Sequence, residues 1–275
     1  MKSSLTINLL LILSLTCCKS TIEKQKTDYV DPFIGTGTFG HTYPGPLRPH
    51  GMVQLSPDTH NKGWDWCSGY HFSDNTIMGF SHLHLSGTGC PDMGDILLMP
   101  MTGEPKFYPG SKENPSEGYR SRFTKENEIA KPGYYSVILD DYNIKVELTA
   151  TERVGVHSYA FPESGEAYIM IDLGHGMDDH TIKSHMELTD NRKVSGYRHS
   201  AGFILDQHIY FHAEFSKPAL EVLSFADGKT GNEKRLEGEV CKMILRFKTS
   251  PQEQIMVKVG LSTASEVSAL NNMIT

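Results

Sequence analysis

The feature that most constrains the fold is a series of short β-branched and aromatic runs that fills the chain from residue 133 onward. Turn-forming residues separate the runs, as at Asp140-Asp141 and at residues 162–165. Many short strands at this spacing are typical of a β-sandwich. The predicted strands are residues 134–139, 144–150, 154–161, 167–173, 193–199, 208–215, 220–225, 241–248 and 255–261.

Alternation within one run supports this prediction. In residues 145–150 the side chains of Val146, Leu148 and Ala150 share one face, as in a half-buried antiparallel strand. No helical periodicity competes with it in this half of the sequence. The 275 residues fit one sandwich, since such domains reach roughly 250 residues. We therefore predict an all-β, antiparallel sandwich over residues 29–262.

Residues 29–120 differ because glycine and proline are crowded there, as in residues 35–40 and in Pro44-Gly45-Pro46. Such punctuation predicts long ordered loops between short strands. Long ordered loops in compact domains are usually functional. This region is therefore the first place to look for a binding site.

The C-terminal residues 263–275 carry a helix signal. Glu266 follows Thr263 at the spacing of a capping box, and apolar residues then recur at helical spacing as far as Ile274. We predict that a linker helix begins here and that the chain is truncated within it.

The N-terminal residues 1–18 are interpreted as a lipoprotein-type signal peptide. A lysine precedes the apolar residues 5–15, which are too few to span a bilayer. The segment ends like a bacterial lipobox, so Cys18 is the predicted lipidation site and Cys17 the alternative. Residues 19–28 are a predicted polar tether. We expect an exported protein of the bacterial cell envelope, either periplasmic or anchored in the outer membrane by its lipid, rather than one with a buried N-terminal helix.

Charge and cysteine content exclude several classes of site. A net charge of −7 without a dense Lys/Arg run argues against a nucleic-acid partner. Beyond the signal peptide the cysteines are Cys67, Cys90 and Cys241, an odd number of which at most one pair can form a disulfide. Their spacing does not match a structural zinc site.

The densest group of chemically useful residues lies between Gly63 and Asp95. Both tryptophans of the chain, Trp64 and Trp66, fall there in a glycine-rich, polar context. Aromatic rings stack on the C–H faces of sugars, while Asp, His and backbone groups bind the hydroxyls. The mixture favours a saccharide site, and the alternative is that both tryptophans are core residues.

Two nearby histidines are candidate ligands. His82 and His84 lie two residues apart, which in a strand directs both imidazoles to one face. Structural or sugar-bonding roles are favoured over a metal site because there is no helical His-Glu-x-x-His signature and no fixed ligand spacing. A zinc site would need a further ligand from His41, His71 or Asp92.

Neither a phosphate-binding loop nor a serine-hydrolase site is favoured by the sequence. The glycines of residues 35–40 resemble a phosphate-binding loop, but Pro44 and Pro46 argue against the helix that such a loop requires. These glycines instead permit tight turns and close backbone approach. The sequence also lacks a Gly-x-Ser-x-Gly elbow, so a serine-hydrolase triad is not favoured.

Five long motifs, in order along the chain, carry a more specific signal. They are YVDPFIGTG at residues 29–37, HTYPGP at 41–46, PHGMVQLSPDT at 49–59, WDWCSGYH at 64–71 and GFSHLHLSGTG at 79–89. With them the chain closely resembles the N-terminal domain of glycoside hydrolase family 92, from about residue 29 to its end.

This resemblance implies a calcium-dependent, exo-acting α-mannosidase, chiefly for α-1,2 linkages, that hydrolyses mannosides of N-glycans or mannan. It implies an antiparallel β-supersandwich of the galactose-mutarotase type, packed on an (α/α)6 barrel. In the family, inversion uses an acid and a base carboxylate roughly 6.5–9.5 Å apart. These carboxylates and most Ca²⁺ ligands lie in the barrel, so we expect no catalytic residue and no metal ligand in this chain, which alone is then inactive.

The resemblance assigns to this chain the face that closes the mannose pocket. We expect an exposed apolar patch on the loop-rich side, where a barrel that is covalently attached or separately encoded would pack. Trp66 is the favoured stacking ring. A stand-alone carbohydrate-binding surface lipoprotein is the main alternative, and a poorly folding remnant is a third. The implied substrate-binding residues are Trp64, Asp65, Trp66, Cys67, His82 and His84.

Overall fold

The computed structural model describes residues 24–274. The predicted signal peptide, the lipidation of Cys18 or Cys17 and the first tether residues lie outside this range. The described part of the tether leads into an exposed 3-10 helix, Lys26–Tyr29.

Antiparallel strand pairing organises the described residues. Residues 24–274 hold eighteen strands and one α-helix, α1. The elements are β1 (Ser56–Asp58), β2 (Thr76–Ile77), β3 (Gly79–Ser81), β4 (Leu97–Thr102), β5 (Ser121–Arg122), β6 (Ile129–Lys131), β7 (Tyr134–Leu139), β8 (Ile144–Ala150), β9 (Val154–Phe161), β10 (Ser164–Asp172), β11 (His180–Asp190), β12 (Lys193–Ala201), β13 (Gln207–Phe215), β14 (Glu221–Ala226), β15 (Lys229–Gly231), β16 (Arg235–Gly238), β17 (Cys241–Thr249), β18 (Glu253–Ser262) and α1 (Glu266–Asn272). Further 3-10 helices span Trp64–Trp66, Pro115–Glu117 and Lys125–Asn127.

Two large sheets form the sandwich. The nine-stranded sheet has the order β16-β11-β12-β13-β18-β9-β8-β7-β6, and the seven-stranded sheet has the order β1-β3-β4-β10-β17-β14-β15. A separate small pair joins β2 and β5. Phe215 of the first sheet packs on Phe247 of the second with ring centroids 6.0 Å apart, and both are buried. The core therefore lies between the two sheets, which confirms the predicted all-β antiparallel sandwich.

The strongest sequence patterns give the most accurate strands. The predicted runs 134–139, 144–150 and 154–161 coincide with β7, β8 and β9. Within β8, Val146 and Leu148 are buried and the neighbouring residues are more exposed, as the alternation predicts.

The two longest strands that the sequence did not predict, β11 and β4, were missed for physical reasons. β11 lacks an apolar run, since its ends carry polar side chains. Only residues in its central part are buried. β4 lies in the region expected to form loops, and it contains Pro100. Proline is tolerated in a paired strand where no backbone N–H is needed for a hydrogen bond. On the β3 side this holds for Pro100, because β3 pairs with β4 only at Phe80 and Leu98.

The C-terminal helix forms as predicted but begins at Glu266. Its cap is Ser265, whose Oγ accepts a hydrogen bond from the Ser268 amide at 3.1 Å. The predicted capping residue Thr263 was wrong by two positions. The helix docks on β18 through a hydrogen bond from Asn272 Nδ2 to the Leu261 carbonyl.

Within residues 24–274 we find no helix of sufficient length and apolarity to cross a membrane.

Candidate functional site

The two tryptophans lie on a single 3-10 turn within residues 29–120, the region of long loops that we call the loop-rich layer. Gly63, with φ of 90°, turns the chain into Trp64–Trp66. The Gly63 amide donates to Asp178 Oδ2 at 3.0 Å, which ties this turn to the loop before β11. The turn is therefore held by a contact distant in sequence, and its two rings meet different surroundings.

Trp66 is fixed on several sides. Its indole Nε1 donates to Asp74 Oδ2 at 2.7 Å, and Lys112 Nζ lies 4.3 Å from the ring centroid. His60 meets the ring edge-on with centroids 4.8 Å apart. Burial alone would raise the pKa of Asp74, but hydrogen bonds from Lys112, Thr59 and Trp66 lower it. An ionised carboxylate and an ammonium group thus hold this indole in place.

Trp64 is open to solvent. Its side chain is 58% exposed, and its main aromatic neighbour is the buried His41, edge-on at a centroid distance of 4.7 Å. The loop that carries Gly89 passes against the indole. A Cβ at Gly89 would lie 2.6 Å from Trp64 Cη2, so only glycine permits this approach. Trp64 therefore has a supported edge and a free surface.

Asp65 and Cys67 have smaller roles in this geometry. Asp65 is half-buried between the two tryptophans on the 3-10 turn. Cys67 is buried, and its thiol donates to the Trp64 carbonyl at 3.0 Å. Burial raises the pKa of this thiol. Cys67, Cys90 and Cys241 are all free thiols, and Cys67 stabilises the turn from below.

A buried carboxylate lies beneath the turn. Asp58 Oδ1 contacts His84 Nε2 at 2.7 Å, and Asp58 Oδ2 contacts His175 Nε2 at 2.9 Å. Burial alone would raise the pKa of Asp58, but the charges and hydrogen bonds of the two histidines lower it to about 2. Gly69, with φ of 78°, packs on this carboxylate, since its Cβ would lie 2.2 Å from Oδ1.

His82 belongs to a second buried network, between the sheets. Tyr159 Oη lies 2.8 Å from His157 Nδ1, His157 Nε2 lies 3.0 Å from His82 Nε2, and His82 Nδ1 donates to the Ile96 carbonyl at 2.6 Å. Burial lowers the pKa of His82 to about 4. Because this ring is fully buried and both nitrogens are engaged, its role in the structure is to join the two sheets.

His82 and His84 do not share a face. Their rings lead to His157 and to Asp58 respectively, and both are buried, so neither reaches a ligand at the surface. The ring of His71 contacts Ser73, again in a separate place. The structure therefore gathers Trp64, Asp65, Trp66 and Cys67 into one surface turn and places His82 and His84 in two separate buried networks.

Asp92 and Asp95 make contacts that hold the loops in place. Asp95 Oδ1 lies 2.8 Å from Arg198 Nη1, which also lies 2.8 Å from Asp179 Oδ2. Asp92 accepts hydrogen bonds from the Met93 and Ile204 amides. Arg198 belongs to β12, so this ion cluster fastens the loop-rich layer to the nine-stranded sheet.

Within the loop-rich layer, residues 29–72 expose seven large apolar side chains. A concave surface of about 420 Å³ lies among them, with Phe33, Ile34 and Phe72 in its walls. The seven exposed residues are Tyr29, Val30, Ile34, Phe39, Leu47, Trp64 and Phe72.

Comparison with known proteins decides the family. The sequence model of the glycosyl hydrolase family 92 N-terminal domain matches residues 29–262. The chain belongs to glycosyl hydrolase family 92. The recognition made from the five motifs is thereby confirmed at the level of the family and of the domain.

Solved structures of family members share the fold. The α-mannosidase BT3965 of Bacteroides thetaiotaomicron, solved with mannoimidazole, superposes with a TM-score of 0.87 at 39% identity. The match covers 90% of this chain and 34% of BT3965. The inverting mannosidase BT2199 of the same organism gives a TM-score of 0.76 at 28% identity, over 90% of this chain and 33% of that one. The chain thus spans about a third of each of these relatives.

One curated sequence is also similar. An uncharacterised secreted glycosidase of Arthroderma benhamiae is 34% identical over 143 residues, which are 50% of this chain and 17% of that protein.

Sequence reasoning missed several residues that hold the turn or belong to the two buried histidine networks. Asp58, Asp74, Lys112, His157 and His175 are scattered over more than a hundred positions and have no motif spacing. Asp58 and its partner His84 both lie in recognised motifs, but the second partner, His175, is 117 residues from Asp58 and lies in none of them.

Proposed function

We propose that this chain is the N-terminal domain of a calcium-dependent, inverting exo-α-mannosidase that acts on mannosides of N-glycans or mannan. In this role the turn Trp64–Trp66 closes the mannose pocket of an (α/α)6 barrel that carries the acid and base carboxylates. The chain alone then has no mannosidase activity. The observation that carries the proposal is the open ring of Trp64 on the apolar, loop-rich face of a family 92 domain.

The likeness to BT3965 supports the substrate class. That α-mannosidase has been solved with mannoimidazole, and this chain matches the third of it that the alignment covers. The exposed apolar residues of the loop-rich layer, such as Phe39 and Ile34, fit a face that a barrel covers.

The geometry favours Trp64 over Trp66 as the stacking ring. Lys112 and Asp74 already occupy one face and the indole nitrogen of Trp66, whereas Trp64 is 58% exposed. Sugar stacking needs a free ring face. We therefore assign the contact with sugar to Trp64 and a positioning role to Trp66, the reverse of the preference that the motif alone suggested.

The proposed calcium ion belongs to the barrel half of the enzyme. Ca²⁺ takes six to eight oxygen ligands, whereas the one three-residue group with metal-ligand spacing in residues 24–274 contains two histidines. The family resemblance places most of these oxygen ligands in the barrel, outside this chain.

Nuclear magnetic resonance tests the assignment because the chain has only two tryptophans and so only two indole N–H signals. Trp64→Phe identifies one signal, and Trp66→Phe identifies the other. Titration with methyl α-mannoside should perturb the Trp64 signal at millimolar concentration or leave both signals unchanged, according to the role of the chain.

The two outcomes separate the two candidate functions. Millimolar binding that disappears in Trp64→Ala supports a stand-alone carbohydrate-binding lipoprotein, which keeps the sugar contact without a barrel. No binding by the isolated chain, together with activity when a barrel is supplied, supports the pocket-closing domain. Hydrolysis of mannosides by the chain alone contradicts the proposal.

Export as a bacterial lipoprotein is part of the same proposal. It is supported by the apolar segment at residues 5–15, the cysteines after it and the secreted relative of Arthroderma benhamiae. Labelled palmitate should enter the chain in a bacterial host, and Cys18→Ala should abolish this labelling while Cys17→Ala preserves it. Labelling that survives both substitutions contradicts lipidation at this site.

A further inference from the structure

A compact group of two histidines and one aspartate lies at the turn end of the β12–β13 hairpin, apart from the Trp64–Trp66 turn. Among residues 24–274, the ligand atoms of His199, Asp206 and His208 lie within 4.8 Å of one another. His199 and His208 are direct cross-strand partners. Backbone pairing of the two strands therefore holds both imidazoles in register.

The two imidazoles converge on one oxygen atom. His199 Nε2 lies 2.8 Å and His208 Nε2 lies 2.9 Å from Asp206 Oδ1. The rings are stacked, with centroids 4.0 Å apart and planes 14° apart. Hydrogen bonds from His199 and His208 lower the pKa of the Asp206 carboxyl. The three side chains already face a common point, so an ion would bind both Nε2 atoms with little movement of the strands, while each neutral imidazole carries its proton on Nδ1.

The donor set selects the class of ion. Two imidazole nitrogens and a carboxylate are typical ligands of Zn²⁺ and its neighbours, and three protein ligands leave a fourth position for water. Ca²⁺ and Mg²⁺ prefer oxygen alone. The side chains of His199, His208 and Asp206 are 23%, 42% and 72% exposed, so an ion can enter from solvent.

We propose that His199, Asp206 and His208 bind a divalent transition-metal ion, with Zn²⁺ as the best match. The site is separate from the sugar-binding turn and does not depend on the proposed mannosidase role. The ion ties β12 to β13 at the base of the turn 202–206. The tip of that turn presents Phe203 and Leu205, which are 70% and 83% exposed.

The site also borders a cavity of about 520 Å³, lined in part by Asp206, Gln207 and His208. The far side of the turn is already fixed, because the Ile204 amide donates to Asp92. Metal binding would therefore immobilise the remaining free side of an apolar hairpin tip.

Calorimetric titration of the chelator-treated chain with ZnCl₂ tests the proposal. We expect one ion per chain, bound more tightly than about 1 mM. His199→Gln and His208→Gln should each weaken binding at least about tenfold. The matched control is His180→Gln, which removes an exposed histidine of the neighbouring strand β11 that lies outside the group; it should leave the affinity unchanged.

A second readout guards against loss through misfolding. Co²⁺ should give a visible absorption band in the parent chain and in His180→Gln, and the band should be lost in His208→Gln and in Asp206→Asn. Circular dichroism and the unfolding midpoint confirm that each variant is folded. Zn²⁺ affinity no tighter than about 1 mM, a loss under about tenfold in the His199 and His208 variants, or an equal loss in the control would each overturn the proposal.

Discussion

The loop-rich layer and the nine-stranded sheet of this domain are stabilised in different ways. In β8 the burial alternates with the sequence, and apolar side chains such as Val146 and Leu148 point into the core. The loops around Trp64–Trp66 instead depend on buried polar groups, such as Asp58 between two histidines and Asp95 beside Arg198. The strands are determined by local alternation of apolar residues, whereas the loop conformations depend on polar contacts between residues that are distant in sequence.

The largest loss of stability is expected at the ion cluster of Arg198, Asp95 and Asp179, which joins the loop-rich layer to the nine-stranded sheet. Arg198→Ala leaves the carboxylates of Asp95 and Asp179 buried without a cation, which should lower the free energy of unfolding by about 3–5 kcal/mol. The matched control Arg235→Ala removes an exposed partner of Glu187 and should cost about 1 kcal/mol or less. Urea denaturation compares the two, and equal midpoints would show that the joint is unimportant.

Acid should destabilise the domain through the buried network that contains His82 and His157. Burial lowers the pKa of His82 to about 4, from an ordinary value of 6.5. Between these values the unfolded chain binds a proton that the native state does not, so stability falls as the pH decreases through this window. The loss from this residue is about 3 kcal/mol. Asp58, with a pKa lowered to about 2, is protonated only at lower pH and adds a further loss there.

Urea midpoints at pH 7 and pH 5 measure this dependence. His82→Gln should be less stable at pH 7 and should vary less between the two values, whereas exposed His180→Gln should behave like the parent. Identical pH dependence in all three would contradict a role for His82.

The cost of replacing glycine by alanine should also differ between a closely packed position, Gly69, and an open one, Gly228. Gly69 and Gly228 both have positive φ, but a Cβ at Gly69 meets Asp58 Oδ1 at 2.2 Å, and one at Gly228 meets nothing within 4 Å. Gly228→Ala should cost about 1–2 kcal/mol from backbone strain alone. Gly69→Ala should cost about 1–3 kcal/mol more, because it also overpacks the carboxylate. Thermal unfolding measures both, and equal costs would argue against close packing at Gly69.

The smallest effects separate the two tryptophans within the loop layer. Trp66→Ala removes the partner of Asp74 and Lys112 and should destabilise the domain by about 2 kcal/mol. Trp64→Ala should change the stability by about 0.5 kcal/mol or less, since the ring is largely exposed. The reverse ranking in urea unfolding would mean that Trp64 belongs to the framework and that Trp66 is the free ring.

The sequence predicts the regular part of this domain well. The runs that became β7, β8 and β9 have the right bounds because alternation and turn residues agree there. β11 was missed because much of it is polar, and its place is set by pairing with β12 along its length.

The site is predicted only in part. The motif at residues 64–71 identifies the exposed turn, but it does not distinguish Trp64 from Trp66. That difference arises from Lys112 and Asp74, which fold back onto one ring. The group of His199, Asp206 and His208 could not be predicted from the sequence for a similar reason. His199 and His208 become neighbours only through the pairing register of β12 and β13.

The most direct test of the proposed role is mannoside hydrolysis by a chimaera in which residues 29–262 replace the matched third of BT3965. We predict mannosidase activity in the presence of calcium, and a loss of at least about tenfold in kcat/KM with Trp64→Ala, equivalent to about 1.4 kcal/mol. A folded chimaera without activity, or one whose activity does not change with Trp64→Ala, would contradict a pocket-closing domain that acts through this ring.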